Sequence, residues 1–351
     1  MLYRALRGAA DIALHWYYAD VVVQGAERIP ADGPLVIVSN HPNALVDALL
    51  VGTTLRRRVL ITAKATLFEH PLLAPVLRGV GVVPLRRAKD ARAAASRGSA
   101  TAARNTESFR QVTDALVRGG AVLVFPEGIS HDQPALAPLK TGAARMALAA
   151  ADAGARGIRV LPLGLIFERK EQPRSRVLVR AGDPIDVDAW RARTGSADAA
   201  RLTAEIDAAL RHVTLNFASE SRANRAVALA GALAAIIEPP PTLDRPRPLA
   251  TEAELARRIE VATDALESAP PAAAAQADAF IARVEALEAR LRVRGAALDE
   301  VRISARLRHG ARFVLREGLI AIVALPLALL GRLVHWLPLR LARVLAMRPF
   351  A

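Results

Sequence analysis

The sequence predicts an α/β domain carrying an α-helical C-terminal extension. Three observations carry that expectation. Between Val21 and Asp188, short β-rich apolar runs alternate with Ala/Leu-rich stretches of helical periodicity. A proline-rich break, Glu238-Pro239-Pro240-Pro241 through Pro248, follows, and proline cannot continue a helix. Beyond it come helical spacing and a final apolar stretch. With 351 residues, 52% of them hydrophobic, the chain can bury one substantial core and still supply a second module.

The first element is an amphipathic helix over residues 2–18. Leu2, Leu6, Ala9, Ala13 and Tyr17 recur at helical spacing, with Leu14 and Trp16 beside them and Arg4, Arg7, Asp11 and His15 opposite. Two placements are open, against the domain core or within a lipid headgroup layer; the Trp16-Tyr17-Tyr18 cluster and the early arginines favour the second. Arg4, Arg7 and Asp11 interrupt any apolar run long enough for a secretory signal, so this segment is expected to be retained. Strands are expected at 35–39, 59–63, 79–85, 121–125, 160–167 and 176–180, and helix over 198–237. After the break, Phe280, Val284, Leu287, Leu291, Leu298 and Val301 recur at three- or four-residue steps or a whole heptad. They predict a long helix paired intramolecularly with one near 252–268. Finally, Gly318 to Gly331 is fourteen residues without a charge. That is short of the ~20 a spanning helix needs, and Pro326 and Pro338 would kink it. The expectation is a re-entrant or surface-lying hydrophobic hairpin flanked by Arg316, Arg340 and Arg343, with a buried core helix as the alternative to it. The expected division is therefore an N-terminal helix (1–24), a principal α/β domain (25–197), a helical region (198–310) with a linker at 238–250, and an apolar membrane-associating segment (311–351).

Composition narrows the partners. The formal net charge is +14, and 44 of the 48 cationic residues are arginine, the lysines being Lys64, Lys89, Lys140 and Lys170. Such a balance fits nucleic acid, anionic lipid or a phosphorylated substrate, although many of these arginines read equally well as ordinary solvated surface. Aromatic residues are only 4% and no nucleic-acid motif is present, so stacking platforms are lacking and no nucleic-acid partner is expected. There is no cysteine, which removes disulfides, thiolate nucleophiles and cysteine metal sites and fits a cytoplasmic-facing protein.

The sharpest motif is Asn40-His41-Pro42-Asn43-Ala44-Leu45-Val46-Asp47, directly after an apolar strand. On one continuous helix His41 and Asp47 would stand ~120° apart in angle and ~9 Å apart in rise, too far to bond. If the helix starts at Pro42 or Asn43, His41 stays in the loop and folds back onto a first- or second-turn carboxylate. A carboxylate there fixes the ring tautomer and stabilises the imidazolium, leaving the other nitrogen to take a proton from a hydroxyl. Ser130-His131-Asp132 cannot form a hydrolase triad, because consecutive side chains diverge and Asp132 stands where a nucleophile elbow needs glycine. Gly79-x-Gly81 is not a dinucleotide loop, since Pro84 replaces the third glycine.

Three more blocks follow in order: Gly81-Val82-Val83-Pro84-Leu85-Arg86, then Phe125-Pro126-Glu127-Gly128, then Val160-Leu161-Pro162-Leu163. With the histidine–aspartate segment they resemble the glycerolipid acyltransferase superfamily over roughly residues 25–185. The stretch from Phe125 to Leu148 is most similar to fungal-type glycerol-3-phosphate and dihydroxyacetone-phosphate acyltransferases. The resemblance implies a mixed sheet flanked by helices and an enzyme that needs no metal or resident cofactor. It implies acyl-CoA or acyl carrier protein as co-substrate, a small phosphorylated glycerol acceptor such as glycerol 3-phosphate or 1-acylglycerol 3-phosphate, and membrane lipid as a partner at the cytoplasmic face. It further implies His41 as base and Asp47 as its orienting partner. Asn40, Arg86, Glu127, Gly128, Ser130 and Lys140 are the candidates for holding substrate. Glu127 reads equally as a structural hydrogen-bond acceptor for the following turn. Two departures stand out: five residues separate His41 from Asp47 where the family has four, and Ile129-Ser130 replace the commoner Thr-Arg, leaving Arg86 and Lys140 for phosphate. The longer spacing motivates an alternative, a non-catalytic lipid-binding or membrane-scaffolding protein that keeps the fold.

Overall fold

Eight strands build one sheet in the computed structural model, which describes residues 2–71, 73–85, 100–238, 247–294 and 307–346. They are β1 (Asp20–Gln24), β2 (Leu35–Ser39), β3 (Val59–Lys64), β4 (Val83–Leu85), β5 (Ala121–Val124), β6 (Arg159–Phe167), β7 (Arg176–Ala181) and β8 (Ile185–Asp186). The order is β1-β7-β6-β2-β5-β3-β4, with β8 pairing β6. Strands β6, β2, β5, β3 and β4 run parallel, β7 and β8 are antiparallel to β6, and β1 is parallel to β7. The sheet is thus mixed and flanked by helices. At its centre Leu35 registers with Ala121 on one side and Arg159 on the other.

Central strands buried on both faces read as continuous apolar runs, and Leu35-Val36-Ile37-Val38 is wholly buried. Leu35 and Ile37 point to the face covered by α1 (Leu2–Tyr17) and α2 (Ala44–Thr54), where they meet Leu14, Tyr18, Leu50 and Val51. Val36 and Val38 point to the face covered by α4 (Ala100–Val117), α5 (Gly142–Asp152), α6 (Val187–Thr194) and α7 (Ala199–Val213). Helix α3 (Leu73–Val80) occupies part of the expected strand at 79–85. It gives way at Gly81, φ +81°, so only Val83–Leu85 pairs. Strand β1 was not expected: three valines are too few to display alternation, and its partner β7 lies far along the chain.

Helix α1 packs through an unexpected face. Leu14 and Tyr18 are buried while Leu6, Ile12 and Trp16 are exposed. Arg7 turns inward because α2 ends there with unpaired carbonyls, donating to Gly52 O (3.1 Å), Thr53 O (2.9 Å) and Leu55 O (2.7 Å).

By internal contacts the chain forms two compact units, Met1–Ala234 with Pro248–Ala286, and Ala235–Arg247 with Leu287–Ala351. In the first, α9 (Leu249–Glu267) lays Leu249 and Ala253 over Ile166 and Leu178, and α8 (Glu220–Ile237) meets it through Ala226, Ala230 and Ala256. Helix α10 (Pro271–Val293) buries Val284, and its Glu285 reaches Arg225 of α8 at 3.5 Å. Phe280 and Leu287 of the predicted stripe are exposed, and Leu298 and Val301 lie outside the described residues. In the second unit, α11 (Leu307–Ala346) is one continuous helix of 40 residues, which corrects the expected hairpin. Proline within a helix costs one backbone bond but does not force a reversal. The apolar span, counted through its flanking charges, is Gly310–Arg332, 23 residues whose most apolar 18-residue window has a mean hydropathy of 2.1, long enough to cross a membrane by length and composition.

Candidate active site

Because β2, β5 and β6 run parallel, their carboxyl ends open on one edge, where α/β sheets present reactive groups. The segments leaving that edge carry His41, Glu127 and Lys170. His41 stays in the loop, Asn43 is the N-cap of α2, and Asp47 lies in its first turn. His41 Nδ1 donates to Asp47 Oδ2 at 2.9 Å, and the Asn43 N–H donates to the same oxygen at 2.7 Å. Where the loop enters α2, Ala44 has φ +43°, a left-handed conformation that a side chain rarely adopts.

Asp47 is completely buried, and its Oδ1 has no hydrogen-bond partner among the described residues. Burial raises its pKa above the ordinary carboxylate value, against the hydrogen bonds from His41 and Asn43 and the charge of Lys170. Since Asp47 accepts at Nδ1, the assigned tautomer carries its proton there and leaves Nε2 basic. No protein atom among the described residues bonds Nε2, and the imidazole is 18% exposed. The ring stacks on Phe125, centroids 3.8 Å apart and planes 14° apart, which limits its rotation.

The other predicted residues divide. Glu127 is buried and both its oxygens are taken: Oε1 accepts from the His41 N–H (3.1 Å), and Oε2 from the Ala137 N–H (2.8 Å) and His131 Nε2. Through these contacts it holds the β2 and β5 loops together, the structural hydrogen-bonding role that its sequence context also offered. Asn40 also engages the protein backbone. Its amide donates to Leu165 O (2.9 Å) and accepts from the Leu165 N–H (2.7 Å), extending the β2–β6 pairing with a side chain. Ser130 Oγ accepts from the Ala44 N–H at 3.2 Å and so satisfies an orphan donor of α2. Gly128, φ +72°, lies under the exposed Lys140 side chain, where a Cβ would overlap Nζ. Lys140 has no carboxylate partner among the described residues, whereas Arg86 lies outside them. His131, with Glu127 and the Gln133 N–H, and Asp132, with Lys170, point to different partners, so the Ser130-His131-Asp132 run assembles nothing.

Three contributors were not singled out from sequence. Lys170 Nζ donates to Pro42 O at 3.0 Å and pairs with Asp132, drawing the β6–β7 turn onto the His41 loop. Asn43 Nδ2 reaches Tyr18 Oη at 3.3 Å; burial is the main cause pushing that phenol up to about 12, so it stays neutral. Phe125 is the ring beneath the imidazole. The available signal for Lys170 was its rarity, one of four lysines, at the end of a strand parallel to β2.

The Acyltransferase family model matches residues 20–166. Over 85 residues the chain is 46% identical to glycerol-3-phosphate O-acyltransferase 2 of Saccharomyces cerevisiae, covering 24% of this chain and 11% of that protein. Over 176 residues it is 28% identical to a chloroplastic 1-acyl-sn-glycerol-3-phosphate acyltransferase of Brassica napus, covering 50% and 45%. The chain thus spans less than half the length of either curated relative. The crystal structure of the 1-acyl-sn-glycerophosphate acyltransferase PlsC from Thermotoga maritima aligns with a TM-score of 0.45 at 21% identity, over 60% of this chain and 78% of that one.

Proposed function

We propose that this chain, whose residues 20–166 match the Acyltransferase family model, moves a fatty acyl group from a thioester to the hydroxyl of glycerol 3-phosphate or 1-acylglycerol 3-phosphate. One observation carries the reading: an imidazole tied at Nδ1 to a buried carboxylate 2.9 Å away, with Nε2 unpartnered among the described residues on the open edge of the sheet.

An alcohol is a weak nucleophile until its proton is accepted, and a positioned base contributes about 10²- to 10⁴-fold. His41 Nε2 takes the hydroxyl proton as the oxygen bonds to the thioester carbonyl carbon. The carbonyl becomes an oxyanion, then reforms as the C–S bond breaks, and the leaving thiolate takes the proton back from the imidazolium. Asp47 stabilises that imidazolium, while Glu127 and Lys170 hold the loop in register. Lys140, exposed over Gly128, and Arg86 supply cations for the acceptor's phosphate. Acyl-CoA or acyl carrier protein serves as donor, with no resident cofactor. The chain works at the cytoplasmic face of a membrane, supported by the spanning-length helix α11 and the outward Ile12 and Trp16 of α1. A scaffolding protein that has lost the base's partner was motivated by the longer spacing, and the 2.9 Å separation removes that motive.

The test is to incubate purified protein with labelled acyl-CoA or acyl carrier protein and each of glycerol 3-phosphate, dihydroxyacetone phosphate and lysophosphatidate. Labelled ester is expected with at least one acceptor and is expected to vanish in His41→Ala. Transfer to none of them, or full activity of His41→Ala, overturns the reading.

A further inference from the structure

The opposite end of α2 carries a second charged feature that acyl transfer does not use. Helix α2 begins beside His41, and its 11 residues place its C-terminus roughly 16 Å further on, near the amino ends of the strands. There, between α1 and the turn into β3, lies a cleft of about 720 Å³ lined by Arg4, Arg7, Arg56, Arg57 and Arg58. Among the described residues, the one carboxylate lining it is Asp11, which already lies 3.5 Å from His15. Local structure employs only part of this charge. Arg7 caps α2, and Arg58 lies over the Tyr3 ring at 5.3 Å. Arg57 bonds the Gly119 carbonyl through Nη2 but keeps Nη1 buried without a partner. Arg4 and Arg56 have no hydrogen-bond or ion-pair partner among the described residues, and both are exposed.

Five guanidinium groups around one cleft repel each other unless an anion sits among them, and a planar fork with paired N–H donors matches phosphate oxygens. The same helix, whose Arg4, Arg7, Gly8 and Asp11 line the cleft, turns Ile12 (72% exposed) and Trp16 (57%) outward. A phosphate site bordered by an apolar stripe suits a ligand that is anionic at its head and apolar below it. We propose that the arginine cleft between α1 and the α2–β3 turn seats the phosphate headgroup of an anionic membrane lipid, with the outward stripe of α1 entering the layer beneath. The site is separate from the acceptor's, being at the other end of α2. It does not depend on the acyl-transfer reading, and its test uses no turnover.

The chain contains no cysteine, so Ile12→Cys offers a single labelling position on an exposed side chain. The full-length labelled protein, carrying an environment-sensitive fluorophore, is reconstituted into vesicles of phosphatidylcholine alone or mixed with phosphatidylglycerol. The label is expected to become immersed only where phosphatidylglycerol is present, and raised salt is expected to reverse this. Removing Arg4 and Arg56 as Arg4→Gln/Arg56→Gln is expected to lower the immersed-to-exposed ratio about 5-fold for each charge, or about 30-fold together. Neither side chain packs in the core, and the circular dichroism of the double variant checks that the fold is kept. Equal immersion in both vesicle types overturns the proposal. So does a double variant that retains the anionic-lipid dependence, or inorganic phosphate that abolishes immersion at an ionic strength where chloride does not, which would mark a soluble-phosphate site.

Discussion

Replacing Asp47 by asparagine separates what the carboxylate does for the reaction from what it does for the fold. In Asp47→Asn the Asn43 N–H keeps an acceptor oxygen and volume is unchanged, so the loop stays in place. What disappears is a full negative charge beside Nδ1, 2.9 Å from Oδ2. Taking ~4 Å between charge centres and an effective dielectric of about 20 gives about 4 kcal/mol of lost imidazolium stabilisation. That corresponds to a fall of about 10³-fold in kcat. Stability is expected to move the other way. Burial raises the native pKa of Asp47 above its unfolded value, so the ionised group costs stability at neutral pH. The cost is absent below the unfolded pKa and grows as pH rises through the window up to the native one. The variant is therefore as stable as the parent in acid, and equally or more stable at neutral pH. Initial rates of labelled-ester formation and urea midpoints at several pH values provide the measurements. A variant that keeps more than a tenth of the parent rate, or one clearly destabilised at neutral pH, refutes the role given to this carboxylate.

Lys170→Met removes the donor to Pro42 O and a cation that, with the His41 and Asn43 hydrogen bonds, opposes the burial-driven rise of the Asp47 pKa. A roughly 10-fold lower kcat is expected, with the acid limb of its pH profile moved to higher pH and Lys170→Arg restoring most of the rate; an unchanged profile counts against it. In Gly128→Ala the new methyl displaces the Lys140 ammonium and strains a φ of +72°, so KM for a phosphate-bearing acceptor should rise about 10-fold with kcat less affected. Equal loss with a phosphate-free alcohol would remove Lys140 from phosphate binding. Gly164→Ala drives a Cβ into the Val213 carbonyl where α7 crosses β6, and should lower unfolding stability by about 3 kcal/mol in a denaturant melt.

The residue pattern alone determined the alternation of strands and helices, the wholly apolar β2, and the pairing of His41 with an early-helix Asp47. Each is short-range in the chain: strand burial shows in consecutive residues, and a loop histidine lies only six positions from the carboxylate it meets. Tertiary structure decided what the remaining motif residues face. Glu127 meets the His41 N–H across 86 positions, Asn40 meets Leu165 across 125, and Lys170 meets Pro42 across 128. It also turned α1's apolar stripe outward and gathered arginines from α1 and the α2–β3 turn around one cleft. A polar side chain's role depends on which distant backbone groups the sheet order leaves unpaired beside it, and no local period in the chain encodes that order.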